Sequence, residues 1–347
     1  MPMDEERLSA VIKSGNLPHM WLLYGEENYL SAFYADKLTA LTVDGALKVF
    51  NFHVYEGDDA DLGEILETAQ LLPAMSEKRC ILIKDLPFHQ MNKADAAAFL
   101  EALADVPDTT VLILLYTKLV FSAKNKEDSK WLPLIRRFEE LGAAAELTRR
   151  TPAKTRQMLI RGAKSRGTSI SPELADELVS VVGDDITNLL NEFNKLCAYA
   201  DGQPITKEMI DAVAVKSVTA SVFDVSAAIL GGNTQRAFDL VKELLRQKTP
   251  VQPIIGALGL TYVNLYRCMT AKAEGYTPDS FADAFGYKGN YNYTFSKLAP
   301  FARRCTLPQI RRSVEILTDA DVKSKSSAVD PETLLTGLLA TLAGALE

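Results

Sequence analysis

The sequence predicts an α/β domain built on a parallel sheet, followed by two all-helical domains. Three observations predict it. Between residues 20 and 147, five short apolar runs alternate with segments of helical character. Continuously apolar strands, each followed by a helix, make a parallel sheet covered on both faces. From Thr151 onward the strand signals stop, leaving helical stripes and caps. The 347 residues, 47% hydrophobic and 24% charged, hold two or three ordinary globular domains of roughly 100–200 residues each.

Met20-Trp21-Leu22-Leu23-Tyr24, ending at Gly25, reads as a buried strand, and Asn28 to Leu41 as the helix after it. Val49 to Tyr55 is the second predicted strand. Leu62, Ile65, Leu66 and Ala69 recur at i, i+3, i+4 and i+7, one face of a helix. Cys80 to Ile83 is the third strand, Ala94 to Leu103 a helix, and Val111 to Tyr116 the fourth strand. Trp131 to Leu141 is helical, and Ala143 to Leu147 makes the fifth strand.

Beyond Thr151 the signals change character. Ser171-Pro172-Glu173 is a helix start, with a capping serine and a proline in the first turn. Leu174, Leu178, Val181 and Val182 line that helix, and Gly183 ends it. Ile186, Leu189, Leu190, Phe193, Leu196 and Cys197 form another stripe, and Thr206 to Val213 completes a small helical domain. Further helices are predicted over Phe223–Leu230, Thr234–Gln247, Pro253–Ala273, Pro278–Phe285, Asn292–Ala302, Pro308–Ser324 and Pro331–Ala345. The expected domains are therefore residues 1–147, 148–215 and 216–347.

The net charge of −7 argues against a protein that coats nucleic acid by bulk charge. Cys80, Cys197, Cys268 and Cys305 show no metal-like spacing. The acidic start MPMDEERL has no apolar stretch, so reduced thiols in a cytoplasmic protein are expected. The longest apolar run, Leu334 to Leu346, falls short of the roughly 20 residues that span a bilayer, so no membrane role is expected.

Phosphate-loop NTPases place GxxxxGK[ST] after the first strand, where backbone N–H groups and a lysine hold the phosphates. Here that stretch is Gly25-Glu26-Glu27-Asn28-Tyr29-Leu30, without the second glycine, the lysine or the hydroxyl. Two glutamates there repel a triphosphate. The chain is expected neither to bind a nucleotide cofactor nor to hydrolyse ATP. Asp85 follows the third strand as a magnesium-binding acid would, but no second acid adjoins it and Lys84 precedes it. His19, His53 and His89 are scattered, and no catalytic or metal constellation stands out.

Leu71-Leu72-Pro73-Ala74-Met75 is an apolar connection where a polar loop is normal. Pro73 should end the preceding helix and project Ala74 and Met75 outward, as a docking tip would require. The alternative is that these residues fold back into the core. Between Glu146 and Glu173 no acidic residue occurs, while Arg149, Arg150, Lys154, Arg156, Arg161, Lys164 and Arg166 do. Such a strip tracks a phosphate backbone or is simply a solvated helix face, and without interleaved aromatics it offers no base stacking. Glu192 and Lys195, three apart on a helix, lie within side-chain reach.

Four segments carry a resemblance over essentially the whole chain: LLYGEENYL at Leu22–Leu30, QLLPAMSEKRCILIKD at Gln70–Asp85, VGDDITNLLNEFNKL at Val182–Leu196 and ILTDADVKSKSSAVDPETLL at Ile316–Leu335. In their order and spacing the chain resembles the delta-subunit family of bacterial DNA polymerase III, the clamp-loader subunits that open the sliding clamp. The resemblance implies an AAA+-like first domain with a degenerate phosphate loop, a helical lid and an all-α collar. It implies no catalytic activity of its own within the polymerase holoenzyme. The implied partners are the sliding clamp (beta subunit), the delta-prime and gamma/tau subunits through the collar, and primed DNA through the assembled complex. The family's clamp-binding wedge falls by position on Ala74 and Met75, beside Leu72 and Pro73. The family often places two bulky apolar residues there, and Ala74 is small. A degenerate but active ATPase, and a DNA-binding module acting through residues 149–166, are the competing readings.

Overall fold

The structure, a computed structural model, describes residues 2–57, 61–276, 297–326 and 330–346. The chain divides into two compact units after Arg150.

In the first unit, strands β1 (Met20–Gly25), β2 (Phe52–Glu56), β3 (Arg79–Lys84), β4 (Thr110–Leu115) and β5 (Ala143–Leu147) form one sheet in the order β2-β3-β4-β1-β5. Every neighbouring pair is parallel, with Leu22 level with Leu114 on one side and Ala144 on the other. The pleat sends Trp21 and Leu23 to one face and Met20, Leu22 and Tyr24 to the other. Against the first face pack helices α1 (Glu5–Ser14) and α2 (Asn28–Thr42), through Leu8, Ile12, Leu30, Tyr34 and Leu38. A second core lies on the opposite face and takes in Ile65, Phe99, Leu134, Ile135 and Phe138. These come from α4 (Leu62–Gln70), α5 (Lys93–Ala102) and α6 (Leu132–Leu141). The strands are apolar on both sides because both sides are covered.

Two elements of this unit depart from the sequence expectation. The first helix was not predicted: its apolar stripe is short, Leu8 and Ile12 with Val11 beside them, but Asp4 caps it by accepting from the Arg7 N–H, and Gly15 ends it at φ +76°. The predicted strand from Val49 begins later, at Phe52. Lys48–Asn51 instead forms a single helical turn, α3, with Val49 and Phe50 facing solvent.

The second unit is all-helical and holds two hydrophobic cores. Helices α7 (Pro152–Ser165), α8 (Pro172–Val182), α9 (Ile186–Ala200) and α10 (Lys207–Val213) enclose Leu159, Leu178, Phe193, Leu196 and Ile210. Helices α11 (Val218–Leu230), α12 (Thr234–Arg246), α13 (Val251–Ala273), α14 (Leu307–Ser326) and α15 (Pro331–Gly344) surround Val225, Val241, Leu258, Tyr262, Leu317 and Leu339. Thr151, Ser171, Asp185, Thr206 and Ser217 each cap the helix that follows, as the capping chemistry predicts. Glu192 pairs with Lys195 at 2.7 Å and also accepts from the Val215 N–H at 3.0 Å, fixing the connection into α11. The helix predicted over Pro278–Phe285, and the first five residues of that over Asn292–Ala302, lie outside the described residues. Among the described residues no single helix is long and apolar enough to cross a membrane.

Candidate functional site

The tip between α4 and β3 is built from its two flanking elements. Asp61 starts α4 by accepting from the Gly63 and Glu64 N–H groups, and Ile65 and Ala69 anchor the helix in the core. Leu71 turns extended, and Pro73 prevents the helix from resuming. The far end is set by Arg79, the first residue of β3. Its buried guanidinium donates to the Thr68 carbonyl at 3.0 Å and the Leu72 carbonyl at 3.1 Å. Asn51 holds the middle. Its amide accepts from the Ala74 N–H at 2.7 Å and donates to the Ala74 carbonyl at 2.8 Å, and the side chain is fully buried.

The backbone is thus tied down while the side chains point out. Leu72 is 82% exposed, Met75 80% and Leu71 57%, with Pro73 and Ala74 half-buried. The alternative of folding back into the core is therefore not what the chain adopts. Met75 sits at φ +51°, a left-handed conformation that costs a non-glycine residue about 1–2 kcal/mol. Strain of that kind is held only where surrounding structure over-determines it. Val49, 84% exposed, and Phe50, 53% exposed, belong to the same α3 turn as Asn51, so two apolar segments are joined through one amide. Sequence reasoning passed over Asn51 and Arg79. The available signal was a lone asparagine inside the apolar run Val49 to Tyr55, and an arginine opening a buried strand.

The other sequence-derived sites have structural employment. Only Glu26 and Glu27 separate the end of β1 from the start of α2, too few for a loop that wraps a phosphate. The Glu27 N–H donates to the Leu147 carbonyl. Gly25 is required by crowding: at φ +133°, a Cβ there would lie 2.3 Å from the Leu147 carbonyl oxygen. Asn28 and Tyr29 begin α2, Tyr29 stacks near Phe33, and Leu30 is buried in the core.

The carboxyl ends of β1 and β4, where a sheet of this topology receives ligands, are filled from within. Tyr24 stacks on Phe121 at 4.7 Å and Phe121 on Trp131 at 4.0 Å, with Tyr116 edge-on to both Phe121 and Trp131. Burial, with Glu146 and Glu139 nearby, raises the Tyr24 hydroxyl far above the ordinary tyrosine range, so it stays neutral. Asp85 is buried and accepts from the Thr117 N–H and hydroxyl and from the Lys118 N–H at 2.7–2.9 Å. It ties down the loop after β4. Among the described residues no group of three His, Cys, Asp or Glu side chains could hold a metal.

The basic strip is divided between the two units: Arg149 and Arg150 end the first, and the others lie in the second. Arg150 makes a two-pronged ion pair with Glu5 of α1. Burial alone would lower its pKa, but the Glu5 hydrogen bond and charge outweigh this and raise it. Arg156 pairs with Asp176 through two contacts of 2.8 and 2.7 Å, locking α7 to α8. Arg166 donates to the Gly162 carbonyl and lies over the Phe193 ring. Lys154, Arg161 and Lys164 are exposed on or beside one side of α7.

Comparison with known proteins matches two family models. The one described as DNA polymerase III, delta subunit covers residues 21–137, and the one described as its C-terminal domain covers 219–342. The chain is similar to DNA polymerase III subunit delta of Bacillus subtilis, with 21% identity over 93% of this chain and 92% of that one. It is also similar to the probable DNA polymerase III subunit delta of Aquifex aeolicus, 21% identical over 78% and 77% of the two chains. Among solved structures, the Bacillus subtilis DNA clamp loader delta protein shares the fold, at 20% identity, a TM-score of 0.61 and coverage of 98% and 99%.

Proposed function

The chain belongs to the DNA polymerase III delta-subunit family, and from that premise we propose that it docks on the sliding clamp through Leu72, Pro73, Ala74 and Met75 and favours the open ring, leaving ATP hydrolysis to neighbouring subunits. One observation carries the docking reading. Leu72 and Met75 are more than three-quarters exposed on a backbone that Asn51 and Arg79 hold rigidly. An exposed apolar tip on a held backbone is suited to a partner pocket, because little ordering entropy remains to be lost. Burying one such side chain contributes about 1.5–3 kcal/mol. Met75 and Leu72 supply that area and Ala74 adds little. The tip opens the clamp only to the extent that it binds the open ring more tightly than the closed one.

The test is the affinity of the purified chain for the sliding clamp, with Leu72→Ala and Met75→Ala beside it. We expect each substitution to weaken binding about tenfold or more, equivalent to 1.4 kcal/mol. Wild-type affinity no better than that of an unrelated protein would sink the reading. Unchanged affinity in both variants would sink the assignment to this tip.

The non-hydrolysing role is supported by the two-residue turn at Glu26–Glu27, by the Glu27 N–H bonded to Leu147, and by the Tyr24–Phe121–Trp131 stack. Tight magnesium-dependent ATP binding by the isolated chain would contradict it. The lid and collar assignments for residues 148–215 and 216–347 rest on the two separate cores of the second unit. The collar is proposed to meet the delta-prime and gamma/tau subunits. Its exposed apolar residues, among them Leu260 on α13 and Val322 on α14, support that role.

A further inference from the structure

We infer that Asn51 is the positioning residue of the clamp-docking tip: it sets how fast the tip engages its partner without itself providing contact area. The inference rests on the docking reading above. Asn51 lies 23 positions before Ala74 in sequence and is fully buried, yet its amide serves both backbone groups of that one residue, at 2.7 and 2.8 Å. A side-chain amide has one acceptor and a donor group suited to this two-way grip. No helix or strand ladder covers residues 71–78, so the loop depends on side chains for its shape. Arg79 fixes the Leu72 carbonyl, and Asn51 fixes Ala74 between the two most exposed apolar side chains of the tip. The grip also holds Met75, the next residue, at φ +51° against its own preference.

The kinetic consequence follows from populations. When only a fraction of molecules hold the docking conformation, the apparent Kd rises by the inverse of that fraction. Removing Asn51 lowers the fraction and leaves the contacting side chains intact. It therefore slows association and leaves dissociation nearly unchanged. Removing Leu72 deletes contact area from a held loop, and its effect falls on dissociation, as is usual for interface substitutions. A residue that merely stabilised the fold would change neither rate once the protein is folded.

The experiment uses the full chain and its purified cognate sliding clamp. Amide hydrogen exchange is read at Ala74 in the free protein, and association and dissociation rates are read by surface plasmon resonance. In the wild type the Ala74 amide should be protected although Leu72 and Met75 beside it are exposed. An unprotected wild-type Ala74 overturns the inference with no variant needed. In Asn51→Ala, Ala74 exchange should accelerate and association should slow, each by roughly tenfold. Asn51→Asp keeps an acceptor for the Ala74 N–H and loses the donor to its carbonyl. It should fall between wild type and Asn51→Ala, and it serves if the alanine variant does not fold. Accelerated exchange with an unchanged association rate overturns the inference while the docking reading stands. A wild-type chain that does not bind the clamp overturns both.

Discussion

Gly25, His53 and Arg150 show how single residues of the first unit are committed. Gly25 has no space for a side chain, because β5 runs alongside with the Leu147 carbonyl 2.3 Å from where a Cβ would stand. Gly25→Ala should cost about 1–3 kcal/mol from backbone conformation alone, before the clash is counted, and a thermal melt will read it as a lower Tm. His53 carries a buried Nε2 with no hydrogen-bond partner. Burial first, and the Arg79 charge second, lower its pKa below the ordinary 6.5. A base whose folded pKa is depressed binds protons better when unfolded. Stability tied to it is therefore complete above the unfolded value of 6.5 and is lost as pH falls below it. On acidification from about pH 8 to pH 5.5, wild type should lose more Tm than His53→Gln. An equal loss in the two proteins would show that His53 is not the titrating group. Arg150, part of the strip that the sequence left open between a phosphate track and a solvated helix face, spends its guanidinium on Glu5.

At the scale of elements, the tip and the loop after β4 divide the surface of the sheet domain into a part proposed to dock and a part filled from within. The α3 turn, the α4 terminus and the start of β3 converge on residues 71–75 and fix their backbone. The loop after β4 does the reverse, folding Phe121 inward between Tyr24 and Trp131. Phe121→Ala should cost about 3–5 kcal/mol, the usual range for truncating a buried aromatic. It should not create ATP binding, because the turn after β1 still lacks the glycine-rich loop and the lysine that hold phosphates. Calorimetric titration with magnesium ATP checks this. Measurable nucleotide binding in the variant would mean that the stack alone had been blocking a site.

For the whole molecule, the net charge of −7 meets a basic strip that is partly neutralised by its own ion pairs. Lys154, Arg161 and Lys164 reach solvent from one short stretch of α7. That is a small electrostatic footprint. The isolated chain should bind duplex DNA no more tightly than a Kd of about 10⁻⁴ M at physiological salt, the weak end of non-specific binding. Fluorescence anisotropy across a salt series reads both the affinity and the slope. A Kd near micromolar, rising with Arg161→Ala, would revive the DNA-binding alternative.

The element types and their order were legible in the residues. β1, β3, β4 and β5 lie within a residue or so of their predicted bounds, because an apolar run closed by glycine or a charged residue has few other fates between two covering layers. In the second unit α8 follows its capping Ser171, a signal local to a few residues, whereas α7 was not predicted and α11 begins at Val218, five residues before the predicted Phe223. The absence of a GxxxxGK[ST] motif after the first strand was legible for the same reason, since that motif is contiguous. What the sequence could not hold was any pairing across distance. Whether Leu72 and Met75 faced the core or solvent depended on Asn51 and Arg79, and an amide 23 positions from its partner leaves no periodicity to read. The same is true of Glu5 and Arg150, which are 145 positions apart. Sequence alone determined the layers, since burial patterns are written along the chain. Only the tertiary structure decided which side chains were left free to meet a partner, since that depends on which buried polar groups find one another when the chain closes.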